Sequence, residues 1–298
     1  MLARTSLTWI VLAACSNTTA DPAPAKPDAG VVAKPAPQPK PKPKPKLKLP
    51  NHTEYPTLAA AISAVIPADA RVLGFGELHA RVDRATVPSA LSAFTNSLPS
   101  FGDKISDLVV ETWIADPKCG QKAATTTKKI ETEVRRPVET RNEVGLLAEA
   151  AKAAKIQPHA MTLTCKDYET LAPKDGPADP VAMLTLTTRE LTRVATSAVV
   201  HRNKTNDPRR FVAIYGGALH NDRFPAPGVA EWSIAAALDS LTINHFIEVD
   251  LIVPELAEPD PASQKAPWFP LVADAAKFRV WKRGERSFVI VLPRTPSK

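Results

Sequence analysis

Two segments of the chain carry the same four-residue motif, Gly-x-Leu-His. They are Gly76-Glu77-Leu78-His79 and Gly217-Ala218-Leu219-His220. Each follows an apolar run typical of a buried strand, and glycine permits the sharp change of backbone direction that is needed there. The carboxyl ends of parallel strands lie along one edge of a sheet, and open α/β sheets bind ligands at that edge. We therefore predict that His79 and His220 converge there.

Two carboxylates are expected beside these histidines. Glu77 lies within the first motif, and Glu111 closes the predicted strand 105–112 in an equivalent position. Two imidazoles and two carboxylates suit a divalent transition metal such as Zn, Mn or Fe, or acid and base roles without a metal. Tyr215 and Arg223 flank the second motif and are predicted to line the cleft as cofactor-binding residues. One such motif alone favours a structural role, but two at matching strand ends favour a shared site.

The two motifs resemble those of a superfamily that includes erythromycin esterase-like, haem-uptake ChaN-like and Tiki-type proteins. Its members share Gly-Glu-x-His after an early strand, here residues 76–79, and a later Gly-x-x-His, here residues 217–220. The resemblance extends from Arg71 to about Val253, with specific identity confined to the motifs. It implies an erythromycin esterase-like or ChaN-like α/β domain.

Each branch of the superfamily implies a different use of the site. The Tiki branch implies a metal-dependent peptidase with His79, His220 and Glu77 as ligands, and the esterase branch implies lactone hydrolysis, in which Glu111 matches a conserved glutamate by position. The ChaN-like branch implies a non-catalytic protein that binds haem or iron. Our first hypothesis is a metal-assisted hydrolase, either an esterase or a peptidase, with Glu111 as a further ligand or general base. Haem binding and an interaction module with a degenerate site are the alternatives.

The elements that must position these residues predict an α/β fold. Apolar runs that alternate with helical patterns are typical of a mostly parallel central sheet flanked by helices, here with a C-terminal β-hairpin. The predicted strands are 71–75, 105–112, 157–163, 210–215 and 244–253, followed by a hairpin of 278–281 and 287–292. The predicted helices lie near 56–66, 84–98, 122–154, 180–203 and 229–241, the third with a break near Pro137.

Residues 1–15 have the order of a bacterial lipoprotein signal peptide. A basic start is followed by an apolar run too short to span a bilayer, and then by Leu12-Ala13-Ala14-Cys15. This ending resembles the lipobox, which implies that Cys15 is diacylated and anchors the protein to a membrane. Ser16 after the cysteine resembles outer-membrane sorting, so we expect a cell-envelope protein on the outer membrane, facing the periplasm. An ordinary secretory signal is the alternative.

Residues 16–50 form a predicted tether rich in proline and lysine. Lys and Pro alternate from Lys40 to Lys46, which favours extended polyproline II structure. A spacer role is the first interpretation, and binding of its lysines to anionic lipid, lipopolysaccharide or peptidoglycan is the second. The first 50 residues carry a net +6 of the total +7, so the rest of the chain is nearly neutral and we predict no nucleic-acid binding.

Residues 51–298 are predicted to form a single domain whose cleft takes a small molecule or a peptide. Cys119 and Cys165 are its two cysteines. In an oxidising compartment such a pair predicts a disulfide, with two buried free thiols as the alternative. The chain has no Gly-x-Ser-x-Gly, His-Glu-x-x-His or Cys-x-x-Cys motif. The sequence therefore leaves the two Gly-x-Leu-His motifs as its strongest chemical signal.

Overall fold

The computed structural model describes residues 49–296, apart from residues 85, 115, 135, 136, 138, 174, 175, 206 and 210. The predicted signal peptide with Cys15, and the predicted tether as far as residue 48, lie outside these residues. All of the described residues fall within one compact unit. None of the helices in this described part is both long enough and apolar enough to cross a membrane.

The described residues form an eight-stranded, mostly parallel sheet, as predicted. Its strands are β1 (Thr53–Tyr55), β2 (Val72–Glu77), β3 (Ile105–Ile114), β4 (Gln157–Thr162), β5 (Phe211–Gly217), β6 (Phe246–Ile252), β7 (Phe278–Gly284) and β8 (Ser287–Val291). They are ordered β1-β7-β8-β6-β2-β5-β3-β4. Only β7 pairs antiparallel, with β1 on one side and β8 on the other. The predicted C-terminal hairpin is therefore confirmed, and each predicted strand overlaps an observed one.

Helices cover both faces of this sheet. They are α1 (Leu58–Val65), α2 (Ala90–Ser97), α3 (Gly120–Val134), α4 (Glu139–Ala153), α5 (Cys165–Leu171), α6 (Pro180–Lys204), α7 (Ala218–Asn221), α8 (Ala235–Thr242) and α9 (Pro254–Ala257). The predicted helix 122–154 is two helices that separate around Pro137, which lacks the amide hydrogen that a helix interior needs. The predicted helix 229–241 starts later, because a 3-10 turn at Ala230–Trp232 precedes α8. β1, α5, α7 and α9 were not predicted.

The central strands are buried on both faces, which is typical of parallel sheets. Leu73 and Phe75 of β2 pack in one apolar layer with α1, α2 and α4. Val72, on the opposite face, packs in a second layer with α6 and α8. Every residue of β2, β5 and β6 is buried. Buried carboxyl groups lie at the end of β2, as Glu77, and within β6, as Glu248 and Asp250, and the strand registers decide which polar groups meet.

Cys119 and Cys165 form the disulfide expected from the sequence. Their sulfurs are 1.98 Å apart and their Cα atoms 5.1 Å apart. The bond joins the short turn before α3 to the first residue of α5. Both residues lie in a separate apolar cluster with Tyr168 and Leu171, and Trp113 of β3 packs against it. The disulfide thus fastens α3 and α5 to each other beside the end of β3.

Candidate functional site

Strand order places β5 between β2 and β3, and the registers bring the carboxyl ends of all three strands to one edge. Glu77 is paired with Gly217 across β2 and β5, and Val110 is paired with Tyr215 across β3 and β5. Glu111 follows Val110 directly and therefore lies beside the last residues of β5. The carboxyl edge of three neighbouring strands thus holds two carboxylates and the loop after β2 that carries His79.

Glu77 is held between a tyrosine and a histidine. The hydroxyl of Tyr215 donates a 2.6 Å hydrogen bond to Oε2 of Glu77, and Nδ1 of His79 lies 3.0 Å from Oε1. Glu77 is 8% exposed and Tyr215 is 2% exposed. Burial, together with the charge of Glu77, raises the pKa of the Tyr215 phenol well above its usual value. Tyr215 therefore stays protonated as a donor, and both carboxylate oxygens of Glu77 are engaged within the protein.

The second ring nitrogen of His79, Nε2, is directed at Glu111. Nε2 of His79 lies 3.6 Å from Oε1 of Glu111, and Oε2 of Glu111 accepts a 2.5 Å hydrogen bond from the amide of Gly217. The His79 side chain is 32% exposed, so solvent and a ligand can reach the imidazole. Its two ring nitrogens therefore face two different carboxylates, whose side chains are 8% exposed in Glu77 and 11% exposed in Glu111.

Two glycines at the end of β5, Gly216 and the Gly217 that begins the second motif, leave the space that these side chains occupy. A Cβ at Gly217 would lie 2.8 Å from Nε2 of His79, and one at Gly216 would lie 2.6 Å from Oε2 of Glu111. Real Cβ contacts are longer than this, so a larger residue would displace the site. The second motif thus contributes Gly217 to the surroundings of His79, and Gly216 before it makes room for Glu111.

His220 has a different environment. It is 3% exposed, and its Nδ1 lies 2.9 Å from the carbonyl oxygen of Trp232 and 3.1 Å from Oγ1 of Thr188 on α6. The backbone carbonyl of His220 accepts a hydrogen bond of 2.8 Å from Ile234, which packs in the layer under α6 and α8. Tyr215 packs in the opposite layer. These contacts give His220 a role in fastening α7 to the helices, and its role as a ligand beside His79 stays a prediction.

The two predicted cofactor-binding residues have protein partners. The Tyr215 hydroxyl is taken by Glu77. Arg223 donates from Nη1 to Oδ1 of Asp239 on α8 at 2.9 Å and to the carbonyl of Phe246 at the start of β6 at 2.5 Å. The Arg223 guanidinium is therefore directed along the sheet toward the amino end of β6. Neither side chain presents these groups to a cofactor at the carboxyl edge.

A further carboxyl, Glu143 on α4, was missed by the sequence reasoning. Oγ of Ser89 donates a 2.9 Å hydrogen bond to Oε1 of Glu143. Oγ of Ser89 also caps α2, because it accepts a hydrogen bond from the amide of Ser92. Burial, and then the charge of Glu77, raise the pKa of the Glu143 carboxyl. Glu143 lies in a polar helix among other charged residues, so no spacing in the sequence distinguishes it.

The described residues offer two converging donors for a metal. Among them, no group of three or more His, Cys, Asp or Glu side chains is arranged to hold a metal ion. Nε2 of His79 and Oε1 of Glu111 are 3.6 Å apart, close to the separation of two ligands that each lie about 2.1 Å from one ion. Catalytic zinc sites use three protein ligands, and the oxygens of Glu77 serve Tyr215 and His79. The metal ligand set therefore stays a prediction.

Two surface cavities lie away from His79. One of about 280 Å³ lies at the amino edge of the sheet and is lined by Ser63, Ile66, Pro67, Ala68, Asp103, Lys104, Pro208 and Phe211. The other, of about 440 Å³, lies between α3 and α5 and is lined by Gln121, Lys122, Thr125, Thr126, Lys129, Glu169 and Ala172. Neither contains the carboxylates of the carboxyl edge. Haem binding beside His79 stays a prediction.

No protein-family model matches the chain. No curated protein matches it either. One solved structure, described as the structure of the type III effector HopBA1, is similar at 13% identity with a TM-score of 0.41, over 82% of this chain and 98% of that chain. A likeness this distant has no bearing on function. The resemblance to erythromycin esterase-like, ChaN-like and Tiki-type proteins also stays a prediction.

Proposed function

We propose that the chain is a hydrolase of carboxylic ester or amide bonds in which His79 is the general base. The observation that carries this proposal is the chain of contacts from Tyr215 through Glu77 to Nδ1 of His79. A buried carboxylate bonded to one imidazole nitrogen fixes the tautomer and the orientation of the ring. The second nitrogen, Nε2, which faces Glu111, is then the proton acceptor of the proposed reaction.

The proposed reaction uses a water molecule as nucleophile. Nε2 of His79 takes a proton from the water as the water oxygen forms a bond to the substrate carbonyl carbon. The imidazolium that results lies between the carboxylates of Glu77 and Glu111, which stabilise its positive charge. It then returns the proton to the leaving alcohol or amine as the bond between that group and the carbonyl carbon breaks.

Glu111 has the role of positioning the water. One of its oxygens is fixed by the amide of Gly217, and the other lies 3.6 Å from Nε2 of His79. A single water can therefore contact both Nε2 and this oxygen, which would set its position relative to the base. Positioning of this kind is a large part of catalysis, since displacement by about 1 Å can cost about 100-fold in rate.

A divalent metal held by His79 and Glu111 is the second candidate. The separation of their donor atoms favours it, and Glu77 would then orient the ligating histidine from behind. When bound, such a metal would lower the pKa of its water and supply the nucleophile at neutral pH. Glu77, His79 and Glu111 would occupy the same positions with the metal as without it.

We propose the cell envelope as the setting for this hydrolase. The support is the order of residues 1–15, with Cys15 as the acylated residue, and the proline and lysine tether that follows. Incorporation of labelled palmitate that is lost on Cys15→Ser tests this setting. Label that persists in Cys15→Ser would contradict it.

The experiment that tests the function is hydrolysis of nitrophenyl esters and of a peptide panel by the mature protein, with and without a chelator. His79→Gln should lower kcat/KM at least about 100-fold, the usual value of a general base. The matched control is His245→Gln, because His245 is 34% exposed and lies 3.3 Å from a carboxylate, Asp69, at the opposite edge. Equal rates in wild type and His79→Gln would contradict the proposal, and full inhibition by the chelator would favour the metal.

A further inference from the structure

Two arginines meet at the amino edge of the sheet, opposite His79. Nη2 of Arg71, which precedes β2, donates to Oδ1 of Asn203 at 2.7 Å. Nη2 of Arg202, in the last turn of α6, donates to the same oxygen at 2.8 Å. One neutral amide oxygen therefore accepts from two guanidinium groups, which brings two positive charges close together.

Among the described residues, Asp107 and Asp207 act on Arg202 through the charge of their carboxylates, which raises the pKa of its guanidinium, and not through a hydrogen bond. Within the described parts of the chain, neither guanidinium donates a hydrogen bond to Asp or Glu. The nearby carboxylates are committed elsewhere: Asp107 accepts from Ser106 and contacts His159, and Asp207 accepts from Arg209 through both of its oxygens. The two arginines thus differ from Arg286 at the same edge, which donates to both oxygens of Asp69.

The pair is also incompletely bonded. Arg202 is 9% exposed, and the Nε atoms of both Arg71 and Arg202 are buried without a hydrogen-bond partner. Burial, and then the charge of Arg71, lower the pKa of the Arg202 guanidinium. Carbonyl groups at the end of α6 offset part of this charge. Nη1 of Arg202 donates to the carbonyl of Arg209 at 3.4 Å, so the hydrogen bonds of both guanidinium groups go to neutral oxygens within the described residues.

We propose that Arg71 and Arg202 form a binding site for a phosphate-type oxyanion. Guanidinium groups recognise such anions through paired N–H donors, and two adjacent groups can share one anion. Arg71 is only partly buried and gives the anion its point of entry, while Arg202 lies deeper and supports it. The anion belongs either to a soluble phosphorylated molecule or to the phosphate of a lipid headgroup. This site lies on the opposite edge of the sheet from the proposed hydrolase site.

Thermal unfolding of the full mature protein in sodium phosphate tests the proposal, with sodium chloride at equal ionic strength as the reference. In wild type, Tm should rise with phosphate concentration until it saturates. Arg71→Gln should need at least a 10-fold higher phosphate concentration to reach half of that rise. Arg71→Lys should retain part of the response, since it keeps the charge and loses the paired donors. Arg286→Gln is the matched control and should respond like wild type. No rise in wild type, or an equal rise in Arg71→Gln, would overturn the proposal.

Vesicle binding separates the two sources of the anion. The Cys15→Ser form, which lacks the acylated residue, is mixed with vesicles of phosphatidylglycerol and phosphatidylcholine, with and without Arg71→Gln. Weaker binding of Arg71→Gln than of its parent supports the lipid phosphate as ligand. Equal binding of the two forms, with the phosphate response of Tm retained in the parent, supports a soluble phosphorylated ligand.

Discussion

The backbone of Gly217 lies against the imidazole of His79, so close that a Cβ at position 217 would be 2.8 Å from Nε2. The amide of the same glycine donates to Glu111. Gly217 therefore sets both the space for the proposed base and the position of the carboxylate beside it. The two Gly-x-Leu-His motifs are linked through this contact.

Gly217→Ala should lower hydrolysis by about 10-fold to 100-fold and leave Tm nearly unchanged. The new methyl group meets the tip of a flexible side chain, so His79 can move away at little cost in stability, but it leaves its position beside Glu111. Ester hydrolysis and thermal unfolding measure the two effects. Gly228→Ala, where nothing lies within 4 Å of the new Cβ, is the control. Full activity in Gly217→Ala would show that the position of the imidazole is not critical.

Tyr215→Phe should lower kcat by about 10-fold and destabilise the protein by about 1–3 kcal/mol. The substitution removes the donor to Oε2 of Glu77 and leaves a buried carboxylate oxygen without its partner. Tyr168→Phe is the matched control, because the Tyr168 hydroxyl is buried without a hydrogen-bond partner and its loss should cost little. Urea unfolding and ester hydrolysis are the measurements. Equal effects of the two substitutions would argue against a special role for the Tyr215 hydroxyl.

Gly76→Ala should destabilise the protein by about 1–3 kcal/mol through overpacking. Its Cβ would lie 2.3 Å from Oδ1 of Asp250 and 2.7 Å from the backbone Cα of Ala218, and backbone atoms cannot move aside as a side-chain tip can. The control is Gly145→Ala in α4, where nothing lies within 4 Å of the added Cβ. That change should stabilise by about 0.5–1 kcal/mol, because alanine favours a helix over glycine. A free energy of unfolding in urea that is higher for Gly76→Ala than for wild type would contradict the predicted overpacking.

Asp250→Asn should become more stable relative to wild type as pH rises. Burial, and then the charge of Glu248, raise the pKa of the Asp250 carboxyl in the folded protein. The neutral Asp250 carboxyl therefore makes its full contribution to the free energy of unfolding below its unfolded pKa of about 3.8. That contribution is lost as pH increases through the raised pKa of the folded state. Urea unfolding of both proteins from pH 3 to 8 measures the difference. A difference that is constant with pH would contradict the expectation.

Asp207→Asn provides the comparison of opposite sign. Hydrogen bonds from Arg209 lower the pKa of the Asp207 carboxyl to about 2. The ionised Asp207 carboxylate therefore contributes to the free energy of unfolding above its unfolded pKa of about 3.8, and this contribution is lost as pH falls toward 2. Wild type should therefore lose its advantage over Asp207→Asn in acid, whereas it loses stability relative to Asp250→Asn toward neutral pH.

The parallel sheet and the edge that carries Glu77, His79 and Glu111 could be predicted from the sequence. Each of these residues follows an apolar run, and strands of one direction must end at a common edge. The same reasoning placed His220 at that edge, because it follows β5. Its convergence with His79 stays a prediction, and in the structure Nδ1 of His220 contacts Trp232 and Thr188. The reason is that α7 begins directly after Gly217 and carries the histidine one helical turn onward, among the helices of the other face.

By itself, the sequence determined most of the elements, the strand ends at Glu77 and Glu111 and the pair of cysteines, because hydrophobic periodicity and glycine placement act locally. Only the tertiary structure decided which of these ends become neighbours. The order of β2, β5 and β3 sets Gly217 against His79, and the end of α6 brings Arg202 to Arg71. Strand order and helix docking depend on packing between residues far apart in the chain, and local sequence patterns do not predict that packing.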